Sequence, residues 1–384
     1  MEEQLSGSAS PFDLFVIKIA SRCNLACGYC YEYFHGDESW RAQPRVMEPA
    51  VLQVVANSIA EHAAKHDLPC VSISLHGGEP LTVGVGRLEQ YESLLRRTIE
   101  PVCPLHLGMQ SNGTLFDENV HAWALAHRVG IGISLDGPAR INDRRRPFHN
   151  GEGSTSRVEH ALHLLSGSPV FNGILSVIDV ESDPVETLQY LGQWHPPTLD
   201  FLLPHGHWQK PPVGRTQERD GDPLYGRWLA AVFDEWWSTP LAAIAVRTFE
   251  DIILRLHGRP GSSETLGTEP VTLLTVGTDG AYEGVDTLKS AFPGAQVLGL
   301  HSRTHTLDDV LRHRAVQSRQ AGVASLSPVC QSCELVSVCG GGYLPHRLGS
   351  DDTFAHPSVY CTDLMYLIRH IQQAAGPNRR ARLE

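Results

Sequence analysis

Three thiols stand close together near the start of the chain, in Cys23-Asn-Leu-Ala-Cys27-Gly-Tyr-Cys30. Three thiolates at this C-x3-C-x2-C spacing, on a loop leaving a strand, can ligate three irons of a cubane cluster and leave the fourth iron open to a ligand. An open iron is a reactive site. The same residues also suit zinc with a fourth ligand such as His35, or plain buried thiols. Zinc spacings are usually C-x2-C pairs, which favours the cluster.

A second group lies far downstream, in Cys330-Gln-Ser-Cys333, Cys339 and Cys361, the last 22 residues beyond Cys339. Four ligands leave no open iron, so the expected species is a fully ligated [4Fe–4S] cluster for electron transfer or structure. Zinc on the same four thiolates is the competing species. Gly340-Gly341-Gly342 gives the backbone room to pack around a bulky cubane. Cys70 and Cys103 stand outside both groups and read as buried strand-edge thiols.

Between the two groups, His76-Gly77-Gly78-Glu79-Pro80 is the next candidate. Its glycines let backbone approach a ligand, and Glu79 offers an acceptor to a cationic amino group. The same residues are good turn formers.

The elements that must position these groups follow a regular order. Phe12–Ala20, Cys70–Leu75, Leu105–Gln110, Ile131–Leu135, Gly173–Asp179 and Leu199–Leu203 read as strands. Helical periodicity covers 47–66, 88–99, 116–129, 157–165 and 184–191. Six strands alternating with helices predict parallel βα units, whose chemistry gathers at the carboxyl ends of the strands. The cysteine loop, His76–Pro80, Ser111-Asn112-Gly113, Leu135-Asp136-Gly137 and Pro204-His205 all fall there. A Pro, Gly and His-rich loop spans 204–225, and helices are predicted over 225–237 and 242–256. Trp228, Trp236 and Trp237 read as packing residues, with a grip on a peptide as the second reading.

Composition narrows the classes. Hydrophobic content of 41% with 19% charged residues is that of a soluble globular protein, and the length allows two domains. A net charge of −12 argues against nucleic acid as the partner. Arg144-Arg145-Arg146 and the tail Arg379, Arg380 and Arg382 are the basic spots, read as a solvated loop and a frayed end. The acidic start, Met1-Glu-Glu-Gln, and the lack of any membrane-length apolar run predict a cytoplasmic protein with no membrane partner.

With Tyr29 before the third cysteine, the loop and the Gly-Gly-Glu-Pro motif resemble the radical SAM superfamily. That resemblance implies S-adenosylmethionine (SAM) on the open iron of a [4Fe–4S] cluster at Cys23, Cys27 and Cys30, and a 5′-deoxyadenosyl radical as its product. It implies SAM contacts at Tyr29, Gly77, Gly78, Glu79, Pro80, Asn112, Ser134 and Asp136, although the last three are also turn-forming types. The implied fold is α/β: a partial (βα)6 TIM-type barrel over 1–220, a helical bridging segment over 221–265, and a C-terminal α+β SPASM-like iron–sulfur domain over 266–384. Relatives carry seven cysteines for two auxiliary clusters. Here cysteines are missing near 273–278, Val285 and Tyr343, so two clusters in all are expected.

More narrowly, Ser21-Arg22-Cys23, Asp37-Glu-Ser-Trp40, Asp200-Phe-Leu-Leu-Pro-His205, Val285-Asp286-Thr-Leu-Lys289, Cys339-Gly-Gly-Gly-Tyr343 with His346-Arg347, and Pro357-Ser-Val-Tyr-Cys361 look like the FxsB group of radical SAM/SPASM proteins. That resemblance implies modification of a ribosomally made precursor peptide by an aromatic-ring-to-Cβ crosslink, a cyclophane, with a reductase or flavodoxin-type electron donor. Asp286 aligns with an acid that takes a proton from substrate in some relatives; burial that raised its pKa would suit a general base, and a surface hairpin acid is the other reading. His205, His207, Tyr343, His346 and Arg347 are candidates for peptide or cluster surroundings. Alternative outcomes are epimerisation, thioether or formylglycine formation, or a zinc-bound peptide scaffold without turnover. No separate leader-binding domain is expected, since the first strand starts by Phe12.

Overall fold

The apolar run after Phe12 forms the strand on which the first unit is built. In this computed structural model residues 9–215 and 221–375 are described; the acidic start at 1–4 and the basic tail at Arg379, Arg380 and Arg382 lie outside them. Ten strands follow in order: β1 (Leu14–Ala20), β2 (Val71–Gly77), β3 (Leu105–Ser111), β4 (Gly130–Ser134), β5 (Phe171–Val177), β6 (Thr198–Leu202), β7 (Ala245–Val246), β8 (Leu273–Val276), β9 (Ala281–Glu283) and β10 (Val297–His301).

The chain divides into two compact units, neither continuous in sequence. The first comprises residues up to Leu135, Asn142–Gly173 and Pro270–Ala321; the second comprises Asp136–Ile141, Ile174–Glu269 and residues from Gly322 on. The contacts thus group residues differently from the contiguous segments ending at 220 and 265 that the sequence suggests. The reason is strand pairing: residues 270–321 bring β8 back alongside β1.

In the first unit the strand order is β10-β9-β8-β1-β2-β3-β4. β1 through β4 run parallel, with Phe15 opposite Ile73 and Ile73 opposite Leu107. β8 adds to the other side of β1, also parallel, and β9 and β10 complete an antiparallel meander. Phe15, Ile17 and Ile19 of β1 are fully buried, as are Leu52 and Val55 of helix Pro49–Lys65 and Leu88 and Leu95 of helix Val85–Ile99. Burying each such side chain stabilises by roughly 1.5–3 kcal/mol.

In the second unit β5, β6 and β7 are parallel, with Ile174 opposite Leu199 and Leu199 opposite Val246. The helix expected over 242–256 is interrupted here. Ala245–Val246 joins β6 as a strand, and the helix proper is Arg247–Leu256. Trp236, on helix Leu224–Ser238, donates its indole N–H to Ile244 O at 2.8 Å, and Trp228 donates to Ser182 O at 3.0 Å. Both rings are buried and their polar edges are satisfied within the unit, so they are core residues. Among the described residues no helix is long and apolar enough to cross a membrane.

Candidate active site

The cysteine loop leaves the carboxyl end of β1 and is laced to residues 145–148. Ala26 N donates to Pro147 O at 2.8 Å, Gly28 N donates to Arg145 O at 3.2 Å, and Leu25 bridges to Phe148. Buried Arg146 donates to the Tyr29 hydroxyl at 2.7 Å, and the Arg145 guanidinium lies 4.7 Å over the Tyr29 ring. The arginine triplet is therefore not a solvated loop. Two of its three cations hold the cysteine loop in place.

Within the loop, Leu25 N–H donates to Cys23 Sγ at 3.4 Å. Burial, followed by the neighbouring charges, pushes Cys23 and Cys30 up to about 12. Such thiols do not ionise unaided near neutrality. Gathered with Cys27 and offered an N–H, they suit a metal centre that displaces their protons. No disulfide competes, since none of the nine cysteines is disulfide-bonded.

The double glycine has a packing cause. Gly77 has φ +139°, and a Cβ there would lie 1.9 Å from Ala20 O; a Cβ on Gly78 would lie 2.0 Å from the Tyr33 hydroxyl and 2.4 Å from Arg22 O. Gly78 N donates to Ala20 O at 2.8 Å and Glu79 N to Arg22 O at 3.0 Å. The glycines thus let the end of β2 press against the root of the cysteine loop, where the sequence suggested approach to a ligand. Pro80 opens the short 3-10 turn that follows.

Glu79 is held by donors from the start of the 3-10 turn and the end of β3. It is fully buried, and its carboxylate accepts from Leu81 N at 3.0 Å, Ser111 Oγ at 2.8 Å and Asn112 N at 2.7 Å. Burial keeps its pKa raised despite those donors. The side chain fastens the end of β2 to the end of β3. Asn112 donates to Asn24 Oδ1 at 2.9 Å and accepts from Thr114 N at 3.0 Å, so it both forms a turn and touches the cysteine loop. Ser134 accepts from Gln110 at 2.9 Å. Asp136 belongs to the second unit, where it is buried and accepts from Val177 N at 3.0 Å.

Asp286 is buried, and the surface-hairpin reading fails. It lies in the turn Asp286–Ser290 after β9 and accepts from the Tyr31 hydroxyl at 2.8 Å. Lys18, from β1, stands 2.9 Å from Glu32, 3.5 Å from Asp286 and 3.6 Å from Glu283; Lys289 holds the other Glu32 oxygen at 2.6 Å. All five side chains are buried. Burial by itself would raise Asp286, but Lys18, His76, Tyr31 and Lys289 bring it down to about 2. Burial would likewise lower Lys18, yet the three carboxylates hold it well above the ordinary lysine value. Glu32 is lowered by its two lysines, whereas for Glu283 burial outweighs them and its pKa is raised. Glu283 is the acid most ready to keep a proton, which leaves two anions facing two cations.

Sequence reasoning missed Lys18, Tyr31 and Arg146. A lysine inside the otherwise apolar run of β1 was the available signal for the first.

In the second unit three of the four downstream cysteines sit on helices, and Cys333 lies in the turn between the first two. Cys330 ends the first turn capped by Ser327, Cys339 closes helix Val336–Cys339, and Cys361 opens helix Cys361–Ala375. Leu335 N–H donates to Cys333 Sγ at 3.5 Å, repeating the contact made by Leu25 to Cys23. Burial pushes Cys339 up to about 12, and Cys361 and Cys330 add to it. This donor set fits a tetrathiolate metal centre. Nearby, His346 is buried with its ring 5.7 Å from His205 and 5.4 Å from Tyr343, whose hydroxyl donates to Glu264 at 3.0 Å.

A third group, His62, His66 and Asp308, has the composition of a metal site but not its protonation. Phe12 N–H donates to His62 Nε2 at 3.0 Å, so neutral His62 carries its proton on Nδ1, the atom facing Asp308 at 3.5 Å. A protonated nitrogen cannot ligate. The group is an ion-paired tie between two helices.

Comparison with known proteins agrees with the cysteine loop. Residues 17–191 match the Radical SAM superfamily. The chain is 29% identical over 361 residues to a cysteine-type anaerobic sulfatase-maturating enzyme of Clostridium perfringens (strain ATCC 13124), covering 91% of this chain and 94% of that one. Against the enzyme of that name from C. perfringens strain 13, the aligned 168 residues are 29% identical and span 44% of each chain, under half the relative's length. Among solved structures, native anSMEcpe with bound AdoMet and Cp18Cys peptide superposes with TM-score 0.79 at 21% identity, over 95% of this chain and 98% of that one. The fold is thus shared along almost the whole chain. Residues 17–191 are thus similar to the Radical SAM superfamily, and the similarity supports an enzyme of that kind.

Proposed function

We propose that the enzyme acts on a ribosomally made precursor peptide and joins an aromatic ring carbon to the β-carbon of a nearby residue, forming a cyclophane as in the FxsB group. In this reading the six βα units are a partial (βα)6 barrel, and the residues from 266 on are a SPASM-like extension with one auxiliary cluster. The overall change removes a hydrogen atom from the β-carbon and a proton and an electron from the ring, and makes one carbon–carbon bond.

When bound, a [4Fe–4S] cluster with SAM supplies a 5′-deoxyadenosyl radical able to take a hydrogen atom from a peptide carbon. Cys23, Cys27 and Cys30 would hold that cluster, with Tyr29, Gly77, Gly78, Glu79, Pro80, Asn112 and Ser134 around the SAM. Cys330, Cys333, Cys339 and Cys361 would hold the second cluster, whose full ligation suits an electron acceptor. A reductase or flavodoxin-type protein would deliver the priming electron.

The observation that carries the crosslink is the state of Asp286. A carboxylate held well below the ordinary range by Lys18, His76, Tyr31 and Lys289 is a poor acceptor for a thiol proton. A ring that has gained a bond and lost an electron sheds its proton readily to restore aromaticity, and even a weak base accepts it. Asp286, fixed by Tyr31 and Lys18, would be that acceptor.

Sulfatase maturation is the second reading, because the aligned relatives carry that name. It would oxidise a Cys or Ser to formylglycine. Co-expression with a short, aromatic-rich peptide, should one be encoded beside this gene, followed by tandem mass spectrometry, separates the two. The crosslink predicts loss of two hydrogens with no fragmentation between the joined residues. A product that reacts with a hydrazide probe, as an aldehyde does, would overturn it in favour of formylglycine.

A further inference from the structure

Next to the downstream cysteines lies a cation with no acid to balance it. Arg347 donates through Nε to Gly342 O at 2.9 Å and through Nη2 to Gly340 O at 2.7 Å, with a second contact from Nη2 to Gly342 O. Among the described residues no carboxylate pairs with it. Its partners are the carbonyls of Gly340 and Gly342, in the run Gly340-Gly341-Gly342 directly after Cys339, whose φ values are 60°, 76° and 73°. A Cβ is excluded on Gly340, where it would lie 1.6 Å from Gly267 O, and would be tight on Gly341, 3.3 Å from Arg347 Cζ. The glycines therefore bring the backbone, and with it the guanidinium, close around Cys339.

Drawing a guanidinium into a protein costs several kcal/mol unless an opposite charge answers it. Burial holds Arg347 below the ordinary arginine value, while Cys339 and then Cys330 act to raise it. Arginine stays cationic in any case. As neutral thiols the cysteines would leave it unanswered; as cluster ligands they would not. The potential of an iron–sulfur cluster responds to local charge and hydrogen bonding, and a fixed cation favours the more negative, reduced form.

We propose that Arg347 sets the reduction potential of the auxiliary cluster, acting as a fixed counter-charge beside Cys339 and Cys330 that eases uptake of an electron. This makes it a tuning residue for the oxidative half of the reaction. It rests on reading Cys330, Cys333, Cys339 and Cys361 as an iron–sulfur site.

The test is a potentiometric titration, followed by electron paramagnetic resonance, of reconstituted full-length chain in which Cys23, Cys27 and Cys30 are all alanine. About four irons per chain are expected in this background. Zinc in place of iron, or no metal, refutes the underlying cluster reading whatever Arg347 does. With iron present, Arg347→Met should make reduction at least tenfold less favourable, a midpoint lower by about 59 mV for one electron. Arg347→Lys, which keeps the charge and loses the fork, should stay near the parent value. If Arg347→Met fails to load, Arg347→Gln replaces it in the comparison. An unchanged midpoint in the neutral variant, or an equal fall in the lysine variant, overturns the proposal.

Discussion

The hydroxyl of Tyr31, the residue directly after the third loop cysteine, donates to Asp286 at 2.8 Å across a sequence separation of 255 residues. One hydrogen bond thus couples the cysteine loop to the turn after β9. Because Lys18 contacts Asp286 from β1, the carboxylate is fixed from two elements. Its neighbours rule out a wandering surface acid.

Loss of a loop cysteine should abolish radical chemistry and leave the fold. Cys27→Ala is expected to carry about four fewer irons than wild type. Given dithionite and SAM under anaerobic conditions, it should release no 5′-deoxyadenosine. Release at the wild-type rate would contradict the assignment of these three thiols.

The two partners of the buried charge group should differ sharply in cost. Lys18→Met leaves Glu32 and Asp286 facing Lys289 alone and should destabilise by about 3–5 kcal/mol. Glu283→Gln replaces an acid that already tends to hold a proton, and should cost under about 1 kcal/mol. Urea unfolding of both variants checks the order; equal costs would mean that Glu283 is charged.

Asp286 gives a pH dependence of defined sign. A carboxylate whose folded pKa is depressed contributes stability that is complete above its ordinary value of 3.8 and is lost as pH falls toward about 2. The stability difference between wild type and Asp286→Asn should therefore be flat from roughly pH 5.5 to 8.5. A difference that climbs between pH 5 and 7 would show an elevated pKa and would contradict the depressed carboxylate on which the crosslink reading rests.

Gly78→Ala places a methyl where the Tyr33 hydroxyl and Arg22 O already stand, at 2.0 and 2.4 Å. Overpacking of this kind costs about 1–3 kcal/mol. A lower melting temperature together with weaker iron retention at Cys23 is expected, because the strain falls on the root of the cysteine loop. A variant as stable as wild type with full iron content would show that the contact relaxes freely.

Local pattern made the strands legible. β1 to β6 fall within a few residues of the runs read from the sequence, because alternating and continuous apolar stretches dictate them. What was not legible depends on partners far away in sequence. Arg146 looked solvated because its partner, Tyr29, is 117 residues distant. The motif at Gly77-Gly78 was visible, but its cause, contact with Ala20 and Arg22, is tertiary. The split of the 242–256 helix needed β6 as a neighbour for Ala245 and Val246. Asp286 was flagged by similarity alone; its burial and its lysine could not be read from a turn sequence.

The parallel pairing of β8 with β1, Leu14 opposite Leu273 through Ile17 opposite Val276, has a consequence for biogenesis. During synthesis one edge of β1 stays bare until the last third of the chain leaves the ribosome, and an uncovered apolar edge invites association with other chains. A fragment ending near residue 220 should accordingly aggregate where the full chain does not, and nascent chains should need a chaperone until β8 docks.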